Sequence, residues 1–171
     1  MARSAAASFL GSHTNRIDAK GRVAAPADFR KALDLTAFNG FFCVPSLDGG
    51  AIDCGGPDFI EGLKAMISAL DPFDDGRILL EEELLGRARP ISFDADGRFI
   101  LPKELREHAG IDGEAFFIGL GEKFQIRKPA EGQAPSEERK ARAKAALARL
   151  RNPGATPANA GPATSTSGEG S

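Results

Sequence analysis

The chain has 171 residues, enough for one domain or two very small ones, and its 42% hydrophobic and 27% charged residues make an ordinary globular composition. No apolar run approaches the ~20 residues a membrane-spanning helix needs, and Met1 to Leu10 holds no hydrophobic stretch of the kind a secretory signal carries. Two cysteines, Cys43 and Cys54, are too few for a disulfide framework and fit a reducing interior, so the expected location is cytoplasmic.

The net charge of −2 argues against a polyanion partner only until its distribution is read. From Met1 to Lys31 the cations Arg3, Arg16, Lys20, Arg22, Arg30 and Lys31 face two acids, Asp18 and Asp28, a local +4. From Leu47 to Leu85 ten acids face Lys64 and Arg77, a local −8. One basic and one acidic region are compatible with polyanion binding and equally with ordinary solvated charge.

An internal repeat organises the elements. Ile17-Asp18-Ala19-Lys20-Gly21-Arg22-Val23-Ala24-Ala25-Pro26 returns as Phe93-Asp94-Ala95-Asp96-Gly97-Arg98-Phe99-Ile100-Leu101-Pro102 at an offset of 76, and Arg30 falls on Arg106 at the same offset. In the first copy Ile17 and Val23 flank a short polar segment. Asp18 can accept N–H groups two residues on, and Gly21 supplies the positive φ such a turn often needs, so the run reads as strand, turn, strand. Pro26 then suits a helix's first turn, with Phe29, Ala32 and Leu33 on one face. Gly40-Phe41-Phe42-Cys43-Val44 is of strand length, and after the glycine turn at Asp48-Gly49-Gly50 a shorter strand carries Ile52 and Cys54.

Two helical patterns come next. In one, opened by Pro57-Asp58, Phe59, Leu63, Met66, Ile67 and Leu70 form an apolar stripe; the other covers Ile78 to Leu85 with Glu81, Glu82 and Glu83 exposed. Both are expected to pack beside the strands or to form subunit contacts. The second copy repeats the plan, with Leu105 and Ala109 on one helix face, Gly110 as its stop, and strands around Ala115-Phe116-Phe117-Ile118-Gly119 and Phe124 to Ile126. Each copy is thus β-β-α-β-β in about 45 residues, too small to bury an adequate core alone, so the two halves are expected to interlock into one barrel. Residues 136–151 read as an alanine-rich basic helix. Residues 152–171, of Pro, Ala, Gly, Ser and Thr, read as disordered.

The paired turns carry a family resemblance. Phe9-Leu10-Gly11, Asp18-Ala19-Lys20-Gly21-Arg22, Pro26-Ala27-Asp28-Phe29-Arg30, Leu47-Asp48-Gly49, Asp94-Ala95-Asp96-Gly97-Arg98, Leu105-Arg106-Glu107-His108-Ala109-Gly110 and Phe124-Gln125-Ile126 resemble the MraZ family over about residues 8–128. The resemblance implies an α+β, mainly β fold: tandem SpoVT-AbrB units forming an intrachain swapped-hairpin β-barrel. The expected boundaries are an extension at 1–7, repeats at 8–56 and 87–128, a helical connector at 57–86, a basic segment at 129–151 and a tail at 152–171. It further implies a nucleoid-associated, ring-like homo-oligomer that binds direct repeats in double-stranded DNA upstream of its own gene and represses a division and cell-wall gene cluster.

Carried over residue by residue, Arg22 is the leading DNA contact, with Arg16 and Lys20 beside it and Arg98 as the second copy's equivalent. Each arginine is also expected to ion-pair with its aspartate, Asp18 or Asp94, both read as structural. Arg30 and Arg106 read as solvated helix cations, with DNA or a neighbouring subunit as the other possibility, and Arg139, Lys140, Arg142 and Lys144 as a solvated helix. Three features depart from the pattern: Asp96 stands where the first copy has Lys20, Met1 to Ala7 precede the usual start, and the tail from Pro129 is longer than expected.

Chemistry that would suggest an enzyme is missing from the sequence. His13 and His108 are isolated, no Cys/His spacing suggests zinc, and the partner of Asp94-x-Asp96 is Asp18-x-Lys20, which would repel a cation. Gly119-Leu120-Gly121 lacks the third glycine of a dinucleotide loop. No catalytic residue, metal, cofactor or small-molecule substrate is expected. The competing binding reading is an AbrB-like antitoxin that holds a partner through its tail.

Overall fold

The two copies lay down the same order of elements, and they do so because the same residue types recur. The structure, a computed structural model, describes residues 8–129 and 136–154. The expected extension at 1–7, residues 130–135 and the expected tail from 155 onward lie outside the described residues. The chain runs β1 (Ser12–Arg16), β2 (Arg22–Ala24), α1 (Ala27–Ala32), β3 (Gly40–Pro45) and β4 (Ala51–Gly55). Next come α2 (Pro57–Ser68) and α3 (Asp75–Leu80), which continues into a π-helical turn (Glu81–Leu85). The second copy gives β5 (Arg89–Ser92), β6 (Arg98–Ile100), α4 (Lys103–Ala109), β7 (Glu114–Gly119) and β8 (Phe124–Arg127).

Pairing crosses between the copies. β1 pairs not with a strand of its own copy but with β7, from Ser12↔Ile118 to Arg16↔Glu114. Reciprocally, β5 pairs with β3, from Gly40↔Ser92 to Cys43↔Arg89. Hairpins β3–β4 and β7–β8 meet where β4 pairs with β8, giving an antiparallel sheet in the order β1-β7-β8-β4-β3-β5. β2 and β6 form a separate two-stranded ribbon in the register Arg22↔Ile100, Val23↔Phe99, Ala24↔Arg98.

The fold is therefore mixed α+β and mainly β, as expected, but the expected closed barrel is not formed. The six-stranded sheet is open, with β1 and β5 at its edges. After each edge strand the chain leaves the sheet through a tight turn, and the three-residue strands that follow pair with each other, so no ladder joins the two edges.

A single core serves both copies. Val23 and Phe29 from the first, and Phe99, Leu101, Phe117 and Phe124 from the second, are buried in one cluster. Its rings meet edge-on or tilted, with centroids 4.9 Å apart for Phe41–Phe99 and 5.0 Å for Phe9–Phe124. Across β3–β4, Cys43 and Cys54 face each other as buried free thiols with sulfurs 3.5 Å apart, and burial pushes the Cys54 thiol well above its usual range.

The connector departs from its sequence pattern. Of the expected α2 stripe only Ile67 is buried, whereas Met66 and Leu70 are exposed. α3 begins at Asp75 rather than Ile78, because the Asp74 side chain accepts the Gly76 N–H at 2.7 Å and caps the helix there. Glu81 is drawn down by Arg77, 2.9 Å away, so the three glutamates are not uniformly exposed.

The basic helix α5 (Glu137–Arg151) belongs to a second unit. The Ser136 hydroxyl accepts the Arg139 N–H at 3.1 Å, Glu137 and Glu138 sit in the first turn and Arg149 and Arg151 in the last, all favourable to the helix dipole. None of its residues is buried. No helix among the described residues is long and apolar enough to cross a membrane.

Candidate nucleic-acid interface

Each repeated turn is built by one carboxylate. Asp18 Oδ1 accepts the N–H groups of Lys20 and Arg22, both at 2.9 Å, and Oδ2 accepts Arg22 Nε at 2.8 Å. The backbone closes the same turn, with Gly21 N–H donating to the Asp18 carbonyl at 3.0 Å and Gly21 at φ +81°. The second turn repeats this: Asp94 Oδ1 accepts from Asp96 and Arg98 N–H at 2.9 Å, Oδ2 accepts from Arg98 Nε at 3.2 Å, and Gly97 has φ +72°.

These bonds stabilise the ionised carboxylates. Asp18 is held below the ordinary aspartate range first by the Arg22 N–H, then by the Arg22 side chain. Asp94 is lowered chiefly by the Arg98 N–H. The expected ion pairs are both present, and both are exposed, so they contribute little stability by themselves. Their effect is positional: each aspartate takes Nε of its arginine and orients the guanidinium at the strand's start.

Each turn is completed by the other copy. Ala25 N–H donates to the Gly97 carbonyl at 3.2 Å, and Leu101 N–H to the Gly21 carbonyl at 2.9 Å. Above these bonds lie the helix arginines. A Cβ placed on Gly97 would fall 2.4 Å from Arg30 Nη1, and one on Gly21 would fall 3.4 Å from Arg106 Nη2. Arg30 and Arg106, expected to be solvated helix cations, are instead half-buried over the opposite copy's turn glycine. Their Nε atoms are buried and have no hydrogen-bond partner among the described residues. Gly97 thus serves twice, for positive φ and for the room Arg30 needs, whereas at Gly21 a Cβ would make only ordinary contact with Arg106 and the positive φ is what calls for glycine.

The ribbon brings Arg22 and Arg98 to one surface. Val23 and Phe99, 1% and 2% exposed, form its underside on the core. Because side chains alternate, Arg22, Ala24, Arg98 and Ile100 share the outer face. Lys20 is exposed at the tip of the first turn. Arg16 is exposed at the end of β1, where it pairs in register with Glu114 and directly precedes the Ile17↔Val23 bridge. Asn15 Nδ2 donates to the Ala24 carbonyl at 2.7 Å and ties β1 to the ribbon.

The sequence pattern missed two features: this asparagine, and the seating of each arginine on the other copy's glycine. The second had a signal, since both glycines and both arginines recur at the same offset of 76.

Comparison with known proteins gives the chain a family. The family model described as MraZ protein, antitoxin-like, matches residues 84–152. Similar relatives include the transcriptional regulator MraZ of Methylocella silvestris, 40% identical over 130 residues that make up 76% of this chain and 79% of the relative. The transcriptional regulator MraZ of Parvibaculum lavamentivorans is 46% identical over 123 residues, 71% of this chain and 76% of its own. That of Rickettsia akari is 43% identical over 121 residues, 71% of this chain and 81% of its own. With such identity over most of both partners, the chain belongs to the MraZ family.

Proposed function

We propose that this protein is a transcriptional regulator that binds double-stranded DNA sequence-specifically through the ribbon β2–β6 and the turns at its two ends. The observation that carries this reading is the shared outer face of the ribbon, where aspartate-oriented Arg22 and Arg98 stand on a support buried beneath them. A two-stranded ribbon fits the major groove, arginine can read guanine bidentately, and lysine and arginine supply phosphate affinity. Arg22 is the principal contact, Lys20 and Arg16 add phosphate contacts, and Arg98 acts at the far end. Arg30 and Arg106 support the turns. The names of the relatives support regulation of transcription.

The finer reading is a pair of swapped-hairpin repeats at 8–56 and 87–128, assembled into a ring-like homo-oligomer in the cytoplasm at the nucleoid. The ring represses from direct repeats upstream of its own gene, at the head of a division and cell-wall cluster. Displaying several ribbons together raises effective concentration, so individually weak contacts select repeated elements.

The test is a gel-shift with the DNA immediately upstream of the chain's own gene, at physiological salt with excess non-specific competitor. A discrete shift that survives competitor and is lost in Arg22→Ala is expected. A shift erased by competitor would overturn specific binding. The antitoxin-like description of the matched family model favours one second reading, capture of a protein partner through the tail. A pull-down that recovers a partner only when residues 152–171 are present would support it.

A further inference from the structure

The ribbon has a pseudo-twofold axis through the Val23↔Phe99 pair, and its outer face breaks that symmetry twice in the same direction. At one end Arg22 lies directly opposite Ile100, and the turn beside it carries Lys20. At the other end Arg98 lies opposite Ala24, and its turn carries Asp96, whose carboxylate takes Arg98 Nη2 at 3.3 Å. Arg98 is therefore held by two acids, whereas among the described residues Arg22 is held by Asp18 alone. Ile100 is 60% exposed, a large aliphatic side chain set among cations on a face that is otherwise polar or small.

A single exposed isoleucine is ordinary by itself; its place on the ribbon's outer face, directly opposite Arg22, is what narrows the partner it could meet. With Ala24 as the only apolar neighbour on that face, the patch is far smaller than the surface two protein copies need for a stable interface. Arg22 and Arg98 already hold acids, but Lys20, exposed on the adjacent turn with no acid partner among the described residues, favours an anionic partner at the Arg22–Ile100 end. A single apolar group beside a guanine-reading arginine matches one feature of the DNA major groove, the C5 methyl of thymine. The scale also fits. Two residues along a strand advance about 6.7 Å, close to two base-pair steps, so the two ends of the ribbon face base pairs about two steps apart rather than the same one.

Resting on the DNA-binding reading above, we infer that the ribbon is a directional reader, in which Ile100 packs on a thymine methyl next to the base that Arg22 reads, while the Arg98–Ala24 end contributes backbone contacts alone. A symmetric ribbon would read a palindrome, because a twofold protein mirrors a twofold site. This ribbon instead gives each chain a polar, non-palindromic element. Copies arranged in the same sense along the duplex then read direct repeats.

The experiment compares the upstream fragment synthesised with thymidine against the same fragment synthesised with deoxyuridine, which removes every C5 methyl and leaves base pairing intact. The wild-type protein is expected to bind the deoxyuridine fragment about fourfold more weakly for each methyl it buries. Ile100→Ala is expected to bind both fragments equally, and Ile100→Val to keep most of the difference. A specific wild-type shift with equal affinity for both fragments overturns this inference and leaves the DNA-binding reading standing. Equal methyl sensitivity in wild type and Ile100→Ala overturns it as well. If Ile100→Ala instead lowers the oligomer mass in solution with methyl sensitivity unchanged, the residue serves a contact between copies. Absence of any specific shift removes the DNA-binding reading and this inference together.

Discussion

The two turns of this molecule, residues 18–22 and 94–98, are nearly the same object inside and different objects outside. Both close on an aspartate that accepts two backbone N–H groups and an arginine Nε, both place glycine at positive φ, and both lie under the other copy's arginine. Within the turns the one difference is at an exposed position, Lys20 against Asp96, and on the ribbon's outer face just beyond them Ala24 stands against Ile100. Duplication supplied a scaffold in which each half completes the other, so the internal residues cannot change independently. The outward residues carry no such constraint, and the changes there alter the charge and shape that each end presents to solvent.

The largest expected effect comes from striking the shared scaffold. Phe99 lies beneath the ribbon and meets Phe41, Phe93 and Phe117, so Phe99→Ala should cost about 3–5 kcal/mol by loss of buried area and the cavity left behind. Because one core supports both turns, the denaturant midpoint should fall in a single transition. Two separate transitions would show that the halves fold independently.

Next in size is a comparison of the two arginines. Arg22→Ala should weaken specific binding about tenfold to a hundredfold, the range of a lost bidentate base contact, with an unchanged circular-dichroism spectrum. Arg98→Ala should weaken it by less than about fivefold, as befits a contact that only touches the backbone. Equal losses in the two variants would erase the proposed difference between the ends.

A smaller, sharper test restores the charge symmetry. Asp96→Lys frees Arg98 from one of its acids and adds a cation at the second turn. The slope of log affinity against log salt should steepen by about 0.9 for one added phosphate contact. Lys20→Asp should flatten it by a similar amount. If Asp96→Lys leaves the slope unchanged, the second turn does not approach the phosphates.

How much of this was legible in the sequence depended on range. The turns could be read in advance, because Asp18 and Gly21 act on neighbours within four residues and their chemistry is local. The helix after each proline was legible for the same reason. The exchange of β1 and β5 between copies left only an indirect mark, a repeat too small to fold alone, and the open sheet left none. Closure depends on where three-residue strands find their partners, and no periodicity encodes that. Arg30 and Arg106 were misread because an arginine on a helix looks solvated unless the glycine it covers, more than 60 residues away, is known to lie beneath it. The connector stripe misled in the opposite way. Apolar spacing marks a helix face, but it does not say that the chain itself covers that face, and Met66 and Leu70 stand exposed.

The finest contrast between the turns is in their acid titration. The ionised form of each aspartate receives hydrogen bonds that an unfolded chain lacks, so the folded pKa lies below the unfolded one. The sign follows from linkage: the stabilisation is fully present above the unfolded aspartate value and is lost as pH falls through the depressed folded value. Near neutrality both turns are closed, and they should open only in acid below the ordinary aspartate range. Both carboxylates lie at the surface, so the change should be confined to the turns and leave the core intact. Arg22 Nε lies 2.8 Å from Asp18 Oδ2, whereas Arg98 Nε lies 3.2 Å from Asp94 Oδ2 and its guanidinium is shared with Asp96. Arg22→Ala should therefore move the Asp18 midpoint upward more than Arg98→Ala moves that of Asp94, as read from carboxyl carbon shifts in an NMR titration. Midpoints at the ordinary aspartate value in the wild-type protein would mean that these carboxylates do not hold the turns in solution, and that the arginines are oriented by the ribbon and the overlying copy alone.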